Sequence, residues 1–168
     1  PLNWAPNLLR LIMEDDMSVK SRMIELGIVL PKTGHPLGNY IDAVRTENLL
    51  YLSGKGPIND DGTMSRGKVG ADVGIEEAYQ HARLTGLLIL AAVEKELGSL
   101  ERIKKVVKLL GMVNAAPDFS KHPQVINGCS DLFSDVLGEK GRHARSAIGV
   151  SSLPENMTVE IEAIFEIA

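Results

Sequence analysis

The sequence predicts an α+β domain in which two long helices cover one face of a mixed β-sheet. Two helix-length apolar patterns and several short β-type apolar runs predict this class. Their order is helix, two strands, helix, strand, helix and two strands. No repeat or low-complexity tract divides this series, so a single domain is expected.

Turn-forming residues separate the predicted elements in the first part of the chain. These elements are a short helix over 17–28 capped by Ser18, strands over 39–46 and 48–56 joined by a hairpin with Glu47 and Asn48 at its tip, and a loop over 59–70.

Longer apolar patterns follow. They predict a helix over 72–97 that ends at Gly98, a strand over 103–116, a helix over 122–138 that ends at Gly138, and two strands within 143–167. The first of these helices is apolar nearly all round between Leu84 and Val93, which predicts deep burial.

Two predicted strands have no consistently polar face. The runs VVKLLGMV and AIGV are apolar on both sides, whereas two helices can cover only one face of the sheet. A neighbouring copy is the economical cover for the second face, so the sequence predicts a homo-oligomer.

The bulk composition disfavours several function classes. The chain has 168 residues, and 44% of them are hydrophobic. Its net charge of −4 gives no electrostatic reason to expect binding to nucleic acid or to an anionic membrane. No apolar run approaches the roughly 18 residues of a membrane span. With Cys129 as the only cysteine, no intrachain disulfide can form, and we expect a cytoplasmic protein. The four histidines lack metal-ligand spacing, so no metal is expected.

Three charged residues stand close to the predicted core strands. Arg145 opens one apolar run, and Glu160 and Glu162 alternate with apolar residues in the last strand. An arginine there offers a planar fork of donors suited to a carboxylate. Pairing between Arg145 and a glutamate, within or between chains, explains the same pattern, and the pattern alone leaves both explanations open.

The C-terminal residues resemble the Rid family, whose members are also called YjgF-like, endoribonuclease L-PSP or chorismate-mutase-like proteins. The resemblance rests on ARS at 144–146, GV at 149–150, LP at 153–154 and VEIEAIFEI at 159–167, and on GNY at 38–40 and LLYLSG at 49–54 in the same order. It covers roughly residues 35–168. We therefore expect residues 1–30 to be an N-terminal extension with a short helix and residues 31–168 to be one domain.

This resemblance implies a fold, an assembly and a reaction. The fold is a six-stranded mixed sheet with two helices on one face, and the assembly is a homotrimer with clefts between subunits. The reaction is the hydrolysis of enamines and imines, such as 2-aminoacrylate and 2-imino acids, to 2-oxo acids and ammonia without a cofactor. A non-catalytic small-molecule-binding or regulatory trimer is the alternative, and ribonuclease activity is the least favoured of the three functions, in line with the net charge.

The resemblance also implies roles for seven residues. Arg145 would clamp the substrate carboxylate and Glu160 would hold or activate the attacking water. The residues that would line the cleft are Tyr40, Ser53, Gly54, Asn127 and Ala147, the last through its backbone carbonyl. The chain departs from the family pattern at Asn39, at Lys55 and at Ala147, where many deaminase members have cysteine, which suggests a divergent subgroup.

Overall fold

A five-stranded mixed sheet carries two long helices on one face. The computed structural model describes residues 17–33 and 38–168, so residues 1–16 of the predicted extension lie outside the described part. Within it the helices are α1 (Val19–Glu25), α2 (Ile75–Leu97) and α3 (His122–Leu137), and the strands are β1 (Ala43–Thr46), β2 (Leu49–Lys55), β3 (Ile103–Asn114), β4 (Ala144–Val150) and β5 (Val159–Ile167). The strand order is β1-β2-β5-β3-β4, and among these five described strands the β3–β4 pair is parallel and the other neighbouring pairs are antiparallel.

Most predicted element ends are confirmed. Ser18 caps α1 by accepting a hydrogen bond from the Ser21 N–H, and β1 and β2 form a hairpin around Glu47, which has a positive φ of 52°. Gly98 ends α2 in the left-handed conformation, with a φ of 77°, and Gly138 follows the end of α3. These ends depend on local turn chemistry, which a sequence displays directly.

One predicted strand is longer than the observed strand, and the implied sixth strand is not confirmed within the described residues. Residues 39–42 do not belong to β1, because the Tyr40 N–H bonds to the Gly38 carbonyl and the chain bends before β1. The implied sixth strand is also not found there. The glycine-rich segment 56–70 forms only isolated bridges, such as Ile58 with Met64. Glycines weaken a strand interior, which accounts for this irregular segment.

The core lies between the helices and the sheet. Alternate residues of β5, from Val159 to Ile167, are buried against α2 and α3, and α2 is buried along most of its predicted apolar stretch. Phe133 of α3 packs on Phe165 of β5 with ring centroids 5.9 Å apart. Among the described residues, no helix is long and apolar enough to cross a membrane.

No helix of the described residues lies on the opposite face of the sheet. Its exposed side chains include Val44 on β1, Tyr51 on β2 and Ile148 on β4, which are 52%, 42% and 45% exposed. Glu160 and Glu162 of β5 point to this same open face, because they alternate with the buried residues of the strand.

Candidate active site

Glu160 lies half-buried at the start of β5, on the open face of the sheet. Burial, followed by repulsion from Glu162, raises the pKa of Glu160 above the usual range of a glutamate. A carboxyl group with a raised pKa can exchange protons closer to neutral pH than an exposed one. Glu162 is exposed on the same face, so the two residues differ in environment despite their similar positions in the sequence.

A cleft of about 270 Å³ opens beside Glu160. Tyr40 and Gly54 line it, so three of the seven predicted site residues come together here. The rest of its wall is largely apolar and includes Met64 and Met157. A mainly apolar cleft with a few polar groups is the usual form of a small-molecule site.

A bulge in β2 brings the backbone next to Glu160. Leu52 pairs with Ala163 but Lys55 pairs with Ile161, so β2 has one extra residue in this stretch. A Cβ added to Gly54 would lie 2.3 Å from Oε1 of Glu160. Glycine at this position is therefore what allows the carboxyl group to lie where it does.

Ser53, inside the same bulge, does not line the cleft. Its hydroxyl donates to the Ile41 carbonyl at 2.7 Å, and its N–H donates to the Asp42 carbonyl at 2.9 Å. Ser53 thus ties β2 to the segment that carries Tyr40, and its contribution to the cleft is structural.

Lys55 forms an ion pair with Asp42 in the cleft wall. Both side chains are mostly buried, with 20% and 18% of their surfaces exposed, so the two charges largely neutralise each other there. Lys55 was recognised in the sequence as a departure from the family pattern, whereas Asp42 was not. Asp42 lies opposite Ser53 across the hairpin, so its contact with Lys55 depends on the strand register and on the bulge in β2.

Arg145 lies on β4, on the face of the sheet that the helices cover. Its Nη1 donates to Oδ1 of Asn127 at 2.8 Å and to Oγ of Ser130 at 3.0 Å. Asn127 and Ser130 stand three residues apart on α3 and therefore share a helix face. The structure thus brings the predicted Arg145 and Asn127 into contact, and Ala147 lies on the same face two residues further along β4.

His143, just before β4, extends this group. Its Nε2 lies 3.0 Å from Oγ of Ser130, and its Nδ1 lies 2.6 Å from the Gly141 carbonyl oxygen. Burial, with the nearby charges of Arg145 and Lys105, lowers the pKa of His143 although the Gly141 contact opposes the shift. From the sequence, His143 was considered only as a metal ligand and set aside, although its spacing of two residues from Arg145 already indicated a shared strand face.

Arg145 and Glu160 are far apart within one chain. Arg145 aligns with Leu109 of β3, which aligns with Ala163 of β5, so Glu160 lies two strands away and three residues along. The Cα atoms are therefore about 14 Å apart, and the side chains are on opposite faces of the sheet. The explanation of these charges as an ion pair within one chain is wrong.

The described part of the chain has no evident metal site. Within residues 17–33 and 38–168, no three His, Cys, Asp or Glu side chains come close enough to hold a metal ion. Cys129 on α3 is fully buried, and burial raises the pKa of its thiol, so it acts as a small core residue.

The comparisons with known proteins agree with this fold. Residues 20–166 match the family model described as "YjgF/chorismate mutase-like, putative endoribonuclease". The chain is 40% identical over 150 residues to Protein TCP17 of Trypanosoma cruzi. This match covers 89% of this chain and 94% of that protein.

Two solved structures are similar over almost the whole chain. Protein Atu1372 of Agrobacterium tumefaciens, described as having unknown function, is 44% identical with a TM-score of 0.83, and the match covers 89% of this chain and 92% of that one. A protein of Shewanella oneidensis MR-1 described as "a putative endoribonuclease" is 31% identical with a TM-score of 0.86, over 90% of this chain and 100% of that one.

Proposed function

Since this chain belongs to the YjgF/chorismate mutase-like family, we propose that it hydrolyses reactive imines and enamines of 2-amino acids to 2-oxo acids and ammonia. The observation that carries the proposal is the environment of Arg145. This guanidinium is half-buried and held by two neutral groups, Asn127 and Ser130, and no carboxylate of the described residues pairs with it. A charge kept partly out of water in this way favours an anionic ligand.

Glu160 supplies the second function that the reaction needs. Water adds to the carbon of the protonated imine while Glu160 accepts a proton from it, which gives a neutral carbinolamine. Glu160 then gives this proton to the amine nitrogen, the C–N bond breaks, and the carbonyl forms as the carbinolamine hydroxyl loses its proton to Glu160. Glu160 passes that proton to the departing ammonia, so the products are the 2-oxo acid and ammonium. The raised pKa of Glu160 suits both transfers, because it brings proton exchange of the carboxyl group closer to neutral pH than in an exposed glutamate. An enamine such as 2-aminoacrylate enters this sequence after tautomerising to its imine.

The proposal includes a homotrimer whose subunits share each site. The strand register places Arg145 and Glu160 too far apart in one chain for both to act on one small molecule. The exposed apolar residues Val44, Tyr51 and Ile148 lie on the same face as Glu160. A neighbouring copy packed on this face would cover them and could bring its own Arg145 to the cleft beside Glu160.

An imine-trapping assay tests the proposal. An amino-acid oxidase generates 2-imino acids in the presence of semicarbazide, and a deaminase suppresses formation of the semicarbazone. We expect Arg145→Ala and Glu160→Ala each to lower kcat/KM by about 10²-fold. Glu162→Ala is the matched control, because Glu162 lies on the same strand and face but is exposed.

Three results would count against the proposal. Suppression that survives Arg145→Ala refutes the carboxylate clamp. No suppression over a broad amino-acid panel, with ligand binding retained, indicates a small-molecule sensor rather than an enzyme. Cleavage of RNA that is lost in both alanine variants would assign the site to the ribonuclease activity in the family description.

A further inference from the structure

The histidine next to the proposed carboxylate site has a defined proton position. The Gly141 carbonyl, 2.6 Å from Nδ1 of His143, can only accept a hydrogen bond, so Nδ1 carries the hydrogen. In a neutral imidazole the other nitrogen, Nε2, is then an acceptor. The Phe133 ring packs against this imidazole at 6.0 Å and helps to hold its plane.

This proton position determines the direction of the Ser130 hydroxyl. Oγ of Ser130 lies 3.0 Å from the acceptor Nε2 of His143 and 3.0 Å from Nη1 of Arg145, which can only donate. One arrangement satisfies both contacts: Ser130 donates its hydrogen to His143 and turns a lone pair toward Arg145. His143 therefore orients the hydroxyl that Arg145 needs as an acceptor.

The same contacts decide which edge of Arg145 remains for a ligand. Nη1 has two hydrogens, and Asn127 and Ser130 accept one each. No acceptor in the described part of the chain meets Nε or Nη2. In a planar guanidinium the Nε–H and one Nη2–H point the same way and match the two oxygens of a carboxylate.

We propose that Ser130 and His143 are positioning residues for Arg145, and that Arg145 receives the substrate carboxylate on its Nε and Nη2 edge. This inference rests on the proposed function for its ligand, a 2-imino or 2-oxo acid. Neither residue touches the substrate. Their effect is to saturate Nη1, which stops the guanidinium from rotating and leaves a single two-pronged edge available.

The test uses the full chain labelled with ¹⁵N and titrated with pyruvate, a 2-oxo acid product of the proposed reaction. In the wild type we expect the Arg145 Nε–Hε resonance, assigned with Arg145→Lys, to shift on binding. The Nε–Hε resonance of Arg142, an exposed arginine that pairs with Glu139 at 3.3 Å, is the internal control and should not move.

Two pairs of variants separate positioning from general structure. Ser130→Ala and His143→Phe remove the oriented hydroxyl or its acceptor, and each should weaken pyruvate binding about tenfold. Ser130→Thr retains a hydroxyl and His143→Gln retains an acceptor, so both should bind within about twofold of the wild type. Thermal unfolding of all four variants confirms that folded proteins are compared, and either pair suffices if a variant of the other fails to fold.

The outcomes distinguish this inference from the proposed function. Wild-type affinity for pyruvate in Ser130→Ala and His143→Phe overturns the positioning role alone. Pyruvate binding that leaves the Arg145 Nε–Hε resonance unmoved overturns the assigned edge. Pyruvate binding through Arg145 without imine hydrolysis overturns the proposed reaction but not this inference, and a wild type that does not bind pyruvate overturns both.

Discussion

Gly54→Ala tests the position of Glu160 without changing the glutamate itself. The added Cβ would lie 2.3 Å from Oε1, 3.0 Å from Cδ and 3.1 Å from Cγ of Glu160. Gly54 does not have a positive φ, so alanine fits the backbone without strain. The clash is with the end of a flexible side chain, and we expect the carboxyl group to move rather than the strand.

The size of the displacement sets the expected loss. Ordinary contact between nonbonded heavy atoms begins at about 3.5 Å, so the carboxylate has to retreat by about 1 Å. A misplacement of about 1 Å at a reacting group can cost on the order of 10²-fold in rate. Gly54→Ala should therefore lower kcat/KM for imine hydrolysis by about 10²-fold, while the free energy of unfolding changes by less than about 1 kcal/mol.

Gly56→Ala is the matched comparison. Its Cβ would lie 2.3 Å from Sδ of Met157, so it displaces an apolar wall residue of the same cleft by a similar distance. We expect this variant to change KM while its kcat stays within a few-fold of the wild type. Semicarbazone trapping gives both constants, and urea unfolding gives the stabilities. Wild-type kcat/KM in a folded Gly54→Ala protein would refute the role assigned to the position of Glu160.

Three further predictions follow from other contacts. Gly128→Ala would place a Cβ 2.0 Å from the Tyr79 carbonyl oxygen between the two long helices, and should lower the free energy of unfolding in urea by about 3 kcal/mol; an unchanged midpoint would contradict this packing. Burial lowers the pKa of His81 although Glu77 opposes the shift, so the unfolded state takes up the proton first as pH falls below about 6.5 and stability is lost. The thermal unfolding midpoint of the wild type should fall more steeply than that of His81→Gln between pH 7 and 5. Parallel plots of midpoint against pH for the two proteins would contradict this role of His81. Ile148→Glu should dissociate the proposed oligomer, and a wild type that sediments as a monomer at micromolar concentration would disprove the assembly.

The candidate site shows what residue types alone could predict. Arg145 and Glu160 were recognisable as charges beside core strands, and the resemblance to a family proposed a role for each. The contact between Arg145 and Asn127, which lie on different elements, agrees with that proposal. Ser130 and His143 were detectable in principle. Ser130 follows Asn127 by three residues on the same helix face, and His143 precedes Arg145 by two residues on the same strand face.

By itself, the sequence determined the elements of this protein. The alternation in β5, the apolar length of α2 and the glycine after it are local patterns, and local hydrogen bonding and burial are enough to produce them. Only the tertiary structure decided that Arg145 and Glu160 lie on opposite faces, that a bulge brings Gly54 to Glu160, and that Asp42 pairs with Lys55. These features depend on strand register and bulges, and a shift of one residue in a strand moves a side chain to the other face of the sheet.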